Sequence, residues 1–122
     1  MMASPTPLGP YSPSVRAGGF LFCSGQVGLD PATGRPVPGG AVAELRKALS
    51  QVEALLQASG LGREAVVRCT LFLTDMADFQ AVNAAYAEFF TGNPKPARSC
   101  VAVAALPAGA HIEVVALAAF PD

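Results

Sequence analysis

Charge is scarce in this sequence. Of 122 residues, eight are Lys or Arg and nine are Asp or Glu, a charged fraction of 14%. The cations are scattered and the net charge is −1. The chain therefore has no basic stripe of the kind that grips a nucleic-acid backbone, and no nucleic-acid partner is expected. Tryptophan is missing and histidine occurs once, at His111. A histidine-based triad would have to use that one ring, and a structural role is the expectation for it. The three cysteines are an odd number with no CxxC pair, each inside an apolar segment. That pattern implies a reducing compartment and free thiols, not a disulfide framework. Cys23, Cys69, Cys100 and His111 fall on separate predicted strands without zinc-ligand spacing, so no metal is expected. A GxSxG elbow, a phosphate loop and an HExxH helix are all absent, which removes the chemistry those motifs serve. Arg68, Pro107 and Glu113 interrupt the longest apolar stretches, so none spans a bilayer. The opening residues MMASPTPLGPYS lack the basic and apolar regions of a secretory signal. A cytoplasmic protein with no membrane partner is expected.

What the chain has in abundance is apolar side chains, at 52%. The length fits one domain over residues 1–122. Residues 12–16 and 20–24 flank the turn AGG and predict a hairpin. Its second arm, FLFC, is a continuous apolar run, which predicts burial on both faces. Residues 25–40 are rich in Gly and Pro and read as a long loop. From there the period changes. Val42, Leu45, Leu49, Val52 and Leu56 recur at helical spacing, with Glu44, Arg46, Lys47 and Glu53 off that stripe, and Gly60 ends the helix. AVVRCTLFLT predicts a third strand. Asp78 is placed to cap a second helix, whose stripe is Phe79, Val82, Tyr86 and Phe89 and which Gly92 and Pro94 end. SCVAVAAL and IEVVALAAF predict two last strands joined by PAGA. The order is β-β-α-β-α-β-β, an α+β mixed sheet with two helices on one face. Strand-helix-strand crossovers imply parallel neighbours. The last strand is apolar on both sides beyond Glu113, so its uncovered face calls for another copy of the chain.

Arg98 and Glu113 stand out against this background. After Arg98 the only charged side chains are Glu113 and the terminal Asp122. The stiff approach PKPAR fixes the backbone just before the strand. An arginine there offers a planar fork suited to a carboxylate. The plainer alternatives are a surface arginine, a strand-edge acid, or a salt bridge between the two. Asn83 follows Phe79 by one helical turn, beside the apolar stripe. Tyr11 and Ser24 flank the hairpin.

The segments GPYS, CSGQVGLDPATG, FLTDMADFQAVNAAYAEFF and PARSCVAVAALPAGAHIEVVALA, in that order, resemble the Rid (YjgF) family over nearly the whole chain. The resemblance implies a chorismate-mutase-like fold and a homotrimer with sites in the clefts between subunits. It implies hydrolysis of 2-imino acids to 2-keto acids and ammonia without a cofactor. Such imines arise from enamines released by pyridoxal-phosphate enzymes that dehydrate serine or threonine. Carried over position by position, Arg98 is the holder of the substrate carboxylate and Glu113 the acid that orients water. Tyr11, Ser24, Gly25, Asn83 and the backbone of Cys100 are pocket positions. The chain departs from the family where Ala102, Ala105 and Val115 replace charged residues of many or some members, which bears on substrate range. Two other readings compete: a keto-acid-sensing binder or chaperone-like protein without turnover, and a ribonuclease, which the missing basic patch and paired histidines disfavour.

Overall fold

A computed structural model describes residues 7–122. A hairpin opens it, with β1 (Ser14–Ala17) and β2 (Phe20–Cys23) joined at Gly18 and Gly19. Gly18 has φ 58, a left-handed conformation that glycine adopts without a Cβ penalty. The Gly- and Pro-rich stretch is more ordered than its composition implies. It carries β3 (Gln26–Val27), which pairs with the last strand, and a small separate ribbon of β4 (Leu29–Asp30) and β5 (Arg35–Pro36).

Helix α1 spans Gly40–Ala58. Its end is a Schellman motif: Gly60, at φ 76, donates to the Gln57 carbonyl, and Leu61 donates to that of Leu56. Leu45, Leu49, Val52 and Leu56 are buried as their spacing predicts. Glu44 departs from expectation: it is off the apolar stripe yet 1% exposed. It is buried because it has partners, the backbone N–H of His111 at 2.7 Å from Oε1 and the ring Nδ1 at 2.6 Å from Oε2.

Strand β6 (Val66–Leu73), helix α2 (Phe79–Phe89), β7 (Ala97–Ala102) and β8 (Ile112–Ala119) complete the chain. Asp78 does not cap α2 with its side chain. Asp75 does the capping instead, accepting from Ala77 N at 2.9 Å in the short 3-10 turn that precedes the helix.

The main sheet runs β1-β2-β8-β6-β7, with β3 continuing the β2 edge of β8. The crossover through α2 joins parallel neighbours, β6 and β7. The crossover through α1 does not, because the last strand inserts between β2 and β6, antiparallel to both. The chain thus closes with a strand that does not lie beside β7, the strand before it in sequence. One face carries both helices: Leu21, Cys69, Leu71, Ile112, Val114 and Ala116 pack there with the α1 and α2 stripes. Each large apolar side chain buried this way contributes roughly 1.5–3 kcal/mol relative to exposure. The other face is open. Val15, Phe20, Phe22 and Val101 are all more than two-fifths exposed on it, so the FLFC strand is buried on one face of the chain, not on both. Among the described residues, no helix is long and apolar enough to cross a membrane.

Candidate active site

Arg98 sits near the start of β7, an edge strand. It pairs with Cys69 of β6, which is fully buried under the helices. Its side chain therefore leaves the sheet on the helix side. Arg98 Nη1 donates to Asn83 Oδ1 of α2 at 2.6 Å. The guanidinium lies 4.9 Å from the centre of the Tyr86 ring and 5.7 Å from that of Phe79. Asn83 thus holds the arginine, a more specific task than lining a pocket. Tyr86, a residue of the core stripe, doubles as the platform beneath it. Burial holds the Tyr86 hydroxyl proton well above the usual phenol range, against the opposing pull of Arg98.

Cys100 lies two residues on, on the same face as Arg98 and half-buried. Burial raises its thiol above the ordinary value, and Arg98 pulls it back. It is therefore a poor nucleophile at neutral pH. Cys23 and Cys69 are buried deeper and pushed up to about 11.

Glu113 belongs to a different cluster. It pairs with Phe72 of β6 and Val27 of β3. Phe72 is three residues along β6 from Cys69, an odd number, so Glu113 projects from the opposite face to Arg98. Three residues of rise and two strand spacings separate the two backbones by roughly 14 Å. Arg98 and Glu113 form no ion pair among the described residues.

Beside Glu113 the chain leaves β2 and begins β3 through Ser24 and Gly25. A Cβ on Gly25 would collide with the Glu113 carboxylate, its carbon 2.8 Å away. Glycine is what lets the acid lie against this backbone. Ser24 Oγ donates to the Ser12 carbonyl at 2.7 Å, and Ser24 N to that of Pro13 at 2.9 Å. These bonds strap the segment after Tyr11 to the same place. The Tyr11 hydroxyl accepts from Leu8 N at 3.0 Å, and its ring is nearly half exposed. Burial raises the Glu113 carboxyl above its ordinary value.

The seven residues singled out in the sequence therefore fall into two groups. Asn83, Arg98 and Cys100 meet between β7 and α2. Ser24, Gly25 and Glu113 meet at the β2–β3 junction, with Tyr11 on the segment tied to it. Each group has part of what an acid–base site on a carboxylate substrate needs.

A profile of the family described as Endoribonuclease L-PSP matches residues 1–120. The chain belongs to the Rid family. Among its relatives, the protein DfrA of Myxococcus xanthus is 49% identical over 117 residues, covering 94% of this chain and 88% of its own. A mouse (Mus musculus) protein named 2-iminobutanoate/2-iminopropanoate deaminase is 44% identical over 115 residues, 94% of this chain and 84% of that protein. The crystal structure of E. coli TdcF with bound serine superposes with a TM-score of 0.87 at 36% identity, covering 97% of this chain and 94% of that one. The mixed sheet with two helices on one face is the fold of Rid proteins.

Apolar spacing does not reveal the contributions of Tyr86 and Glu44. Tyr86 looked like core because its spacing is that of core. Glu44 looked like a surface acid because it lies off the apolar stripe. Nothing in the spacing marks a side chain that turns back toward a partner 67 positions away.

Proposed function

We propose that this protein hydrolyses small 2-imino acids to 2-keto acids and ammonia, in clefts shared between copies of the chain arranged as a trimer. What carries the reading is the division of Arg98 and Glu113 between two faces of one sheet. Within one chain the two groups face apart, and in the proposed trimer the open face of one copy packs against the β7 edge of another so that one cleft takes a group from each. The apolar open face supplies a reason for such packing. A relative with the deaminase name at 44% identity supports the chemistry.

In this reading the free edge of the Arg98 fork binds the substrate carboxylate, with Asn83 and Tyr86 fixing its direction. The reacting carbon belongs to a protonated imine and is already electrophilic. Water adds to it as Glu113 takes a proton, giving a carbinolamine. Return of that proton to the amino group lets ammonia leave as the carbonyl forms, and the hydroxyl proton released in that step passes back to Glu113 and on to solvent. Nothing is oxidised, and the thiol of Cys100 is not required. The outer polar groups of edge strand β7 are free to face the ligand from the Cys100 backbone. The role that fits is clearance, in the cytoplasm, of imines released by other enzymes.

The test is an assay of freshly generated 2-iminopropanoate and 2-iminobutanoate with semicarbazide as competing trap. Many turnovers per chain are expected. Saturation at one equivalent, with 2-keto acid bound and none produced catalytically, would make the protein a binder instead.

A further inference from the structure

Glu44 is a buried carboxylate that the proposed chemistry does not use. It is 1% exposed, yet both of its oxygens are engaged by one residue, His111. A carboxylate has no proton to give, so His111 Nδ1 is the donor to Oε2 and the backbone N–H the donor to Oε1. His111 stands two residues before Glu113, where β8 begins. Its carbonyl is tied to Thr74 N at 3.1 Å. Its N–H and its ring are tied to α1 through Glu44.

The same turn of α1 also meets the strand on the other side of Glu113. Val27 of β3 is the pairing partner of Glu113. The next residue, Gly28, packs so closely on α1 that a Cβ there would lie 2.8 Å from Glu44 Cα. β3 has a second tie to the helix, because Gln51 Nε2 donates to the Val27 carbonyl at 2.9 Å and to Gln26 Oε1 at 3.1 Å. β3 is thus held to α1 by backbone packing and by Gln51. The polar tie from α1 to the start of β8 is the Glu44 side chain.

We infer that Glu44, through His111, is a positioning residue that sets the placement of the Glu113 carboxylate against Gly25. This rests on the acid–base role of Glu113 proposed above. Its consequence is a separation of effects. Loss of the Glu44 side chain leaves β3 anchored and leaves Arg98, Asn83 and Tyr86 untouched between β7 and α2. The carboxylate anchor keeps its affinity while the water-activating group loses its aim. A displacement on the ångström scale is enough to lower the chemical step strongly.

The experiment compares Glu44→Ala, Glu44→Gln, His111→Asn and Glu113→Gln with the parent protein. Turnover of 2-iminopropanoate is measured beside calorimetric binding of pyruvate, with circular dichroism as the check on folding. Glu44→Ala should lower kcat by about tenfold or more while pyruvate affinity stays at the parent value. Glu44→Gln should recover most of kcat, since its amide can accept from the His111 N–H and donate to the ring. His111→Asn should do the same, since its amide N–H reaches where Nδ1–H stood. Parental kcat in folded Glu44→Ala overturns the inference. Parallel loss of kcat and pyruvate binding also overturns it, because a general loosening of the fold predicts that pattern. Should Glu44→Ala not fold, His111→Ala decides by the same two readouts. Parental turnover in Glu113→Gln would defeat the functional reading and this inference together. A dead Glu113→Gln beside an active Glu44→Ala would defeat this inference alone.

Discussion

Arg98 and Glu113 project from opposite faces of the same sheet, because their partners on β6, Cys69 and Phe72, are an odd number of residues apart. The cation is set against α2 by Asn83. The anion rests against Gly25 on the uncovered side. In the proposed trimer each chain would own two half-sites, one on either face.

The chain should be a trimer. Light scattering at micromolar concentration should give three times the 12.4 kDa chain mass. A persistent monomer would leave the open face unexplained and would remove the shared cleft.

Two inactive variants should repair one another. Arg98→Ala keeps Glu113, and Glu113→Gln keeps Arg98. If each cleft takes one group from each of two neighbours, trimers refolded from an equal mixture should regain activity at about a quarter of their sites, by random assortment around a closed ring. Activity no greater than the sum of the two separate variants would show that the groups do not work across a subunit boundary.

Arg98→Ala should abolish measurable binding of a 2-keto acid by calorimetry, and Arg98→Lys should restore little of it. An ammonium cannot reproduce the fork, and it would leave Asn83 Oδ1 without its 2.6 Å partner. Strong rescue by lysine would mean that charge alone is recognised there.

Glu113→Gln should lower turnover by about 10²-fold, a common magnitude for a general acid–base group. In the parent, activity requires the carboxylate form. The rate should fall as pH drops through the Glu113 pKa, and burial sets that pKa above the ordinary carboxylate range. The acid limb of the rate profile should therefore lie above that range and vanish in the variant. An unchanged limb in Glu113→Gln would assign it to another group.

Thiol chemistry should be confined to Cys100 in the native protein, and slow there. Iodoacetamide at neutral pH should spare Cys23 and Cys69, whose thiols are pushed up to about 11 by burial. These two raised values also fix a sign. Between the ordinary value of 9.0 and about 11 the native chain holds protons that the unfolded chain has released. Stability present below that window should be lost as pH rises through it. Cys100→Ser should keep most of the turnover. Rapid native modification of Cys69, or a dead Cys100→Ser, would contradict this assignment.

Periodicity was enough to find both helices and the long strands, since apolar spacing of 3.6 or 2 residues records which face each element buries. It was also enough for the alternation of β8 and for the Gly60 stop. It placed Arg98 and Glu113 correctly as isolated charges at strand starts. Short pairings left no such record. Gln26–Val27 is too brief to show a period, so a strand read as loop. The cap moved from Asp78 to Asp75 because either aspartate can start a turn and only the backbone path selects one.

Pairing order was beyond the reach of spacing altogether. Nothing local says that β8 enters between β2 and β6, yet that insertion sets Glu113 against Gly25 and opposite Phe72. The partner of Glu44 was hidden for the same reason. A buried charge is legible only when its counterpart is known, and hydrogen bonds across 67 residues are made by the fold and not by the neighbourhood in the chain. Local chemistry named the residues; the path of the last strand assigned them to faces, because side chains alternate and one register fixes every one of them.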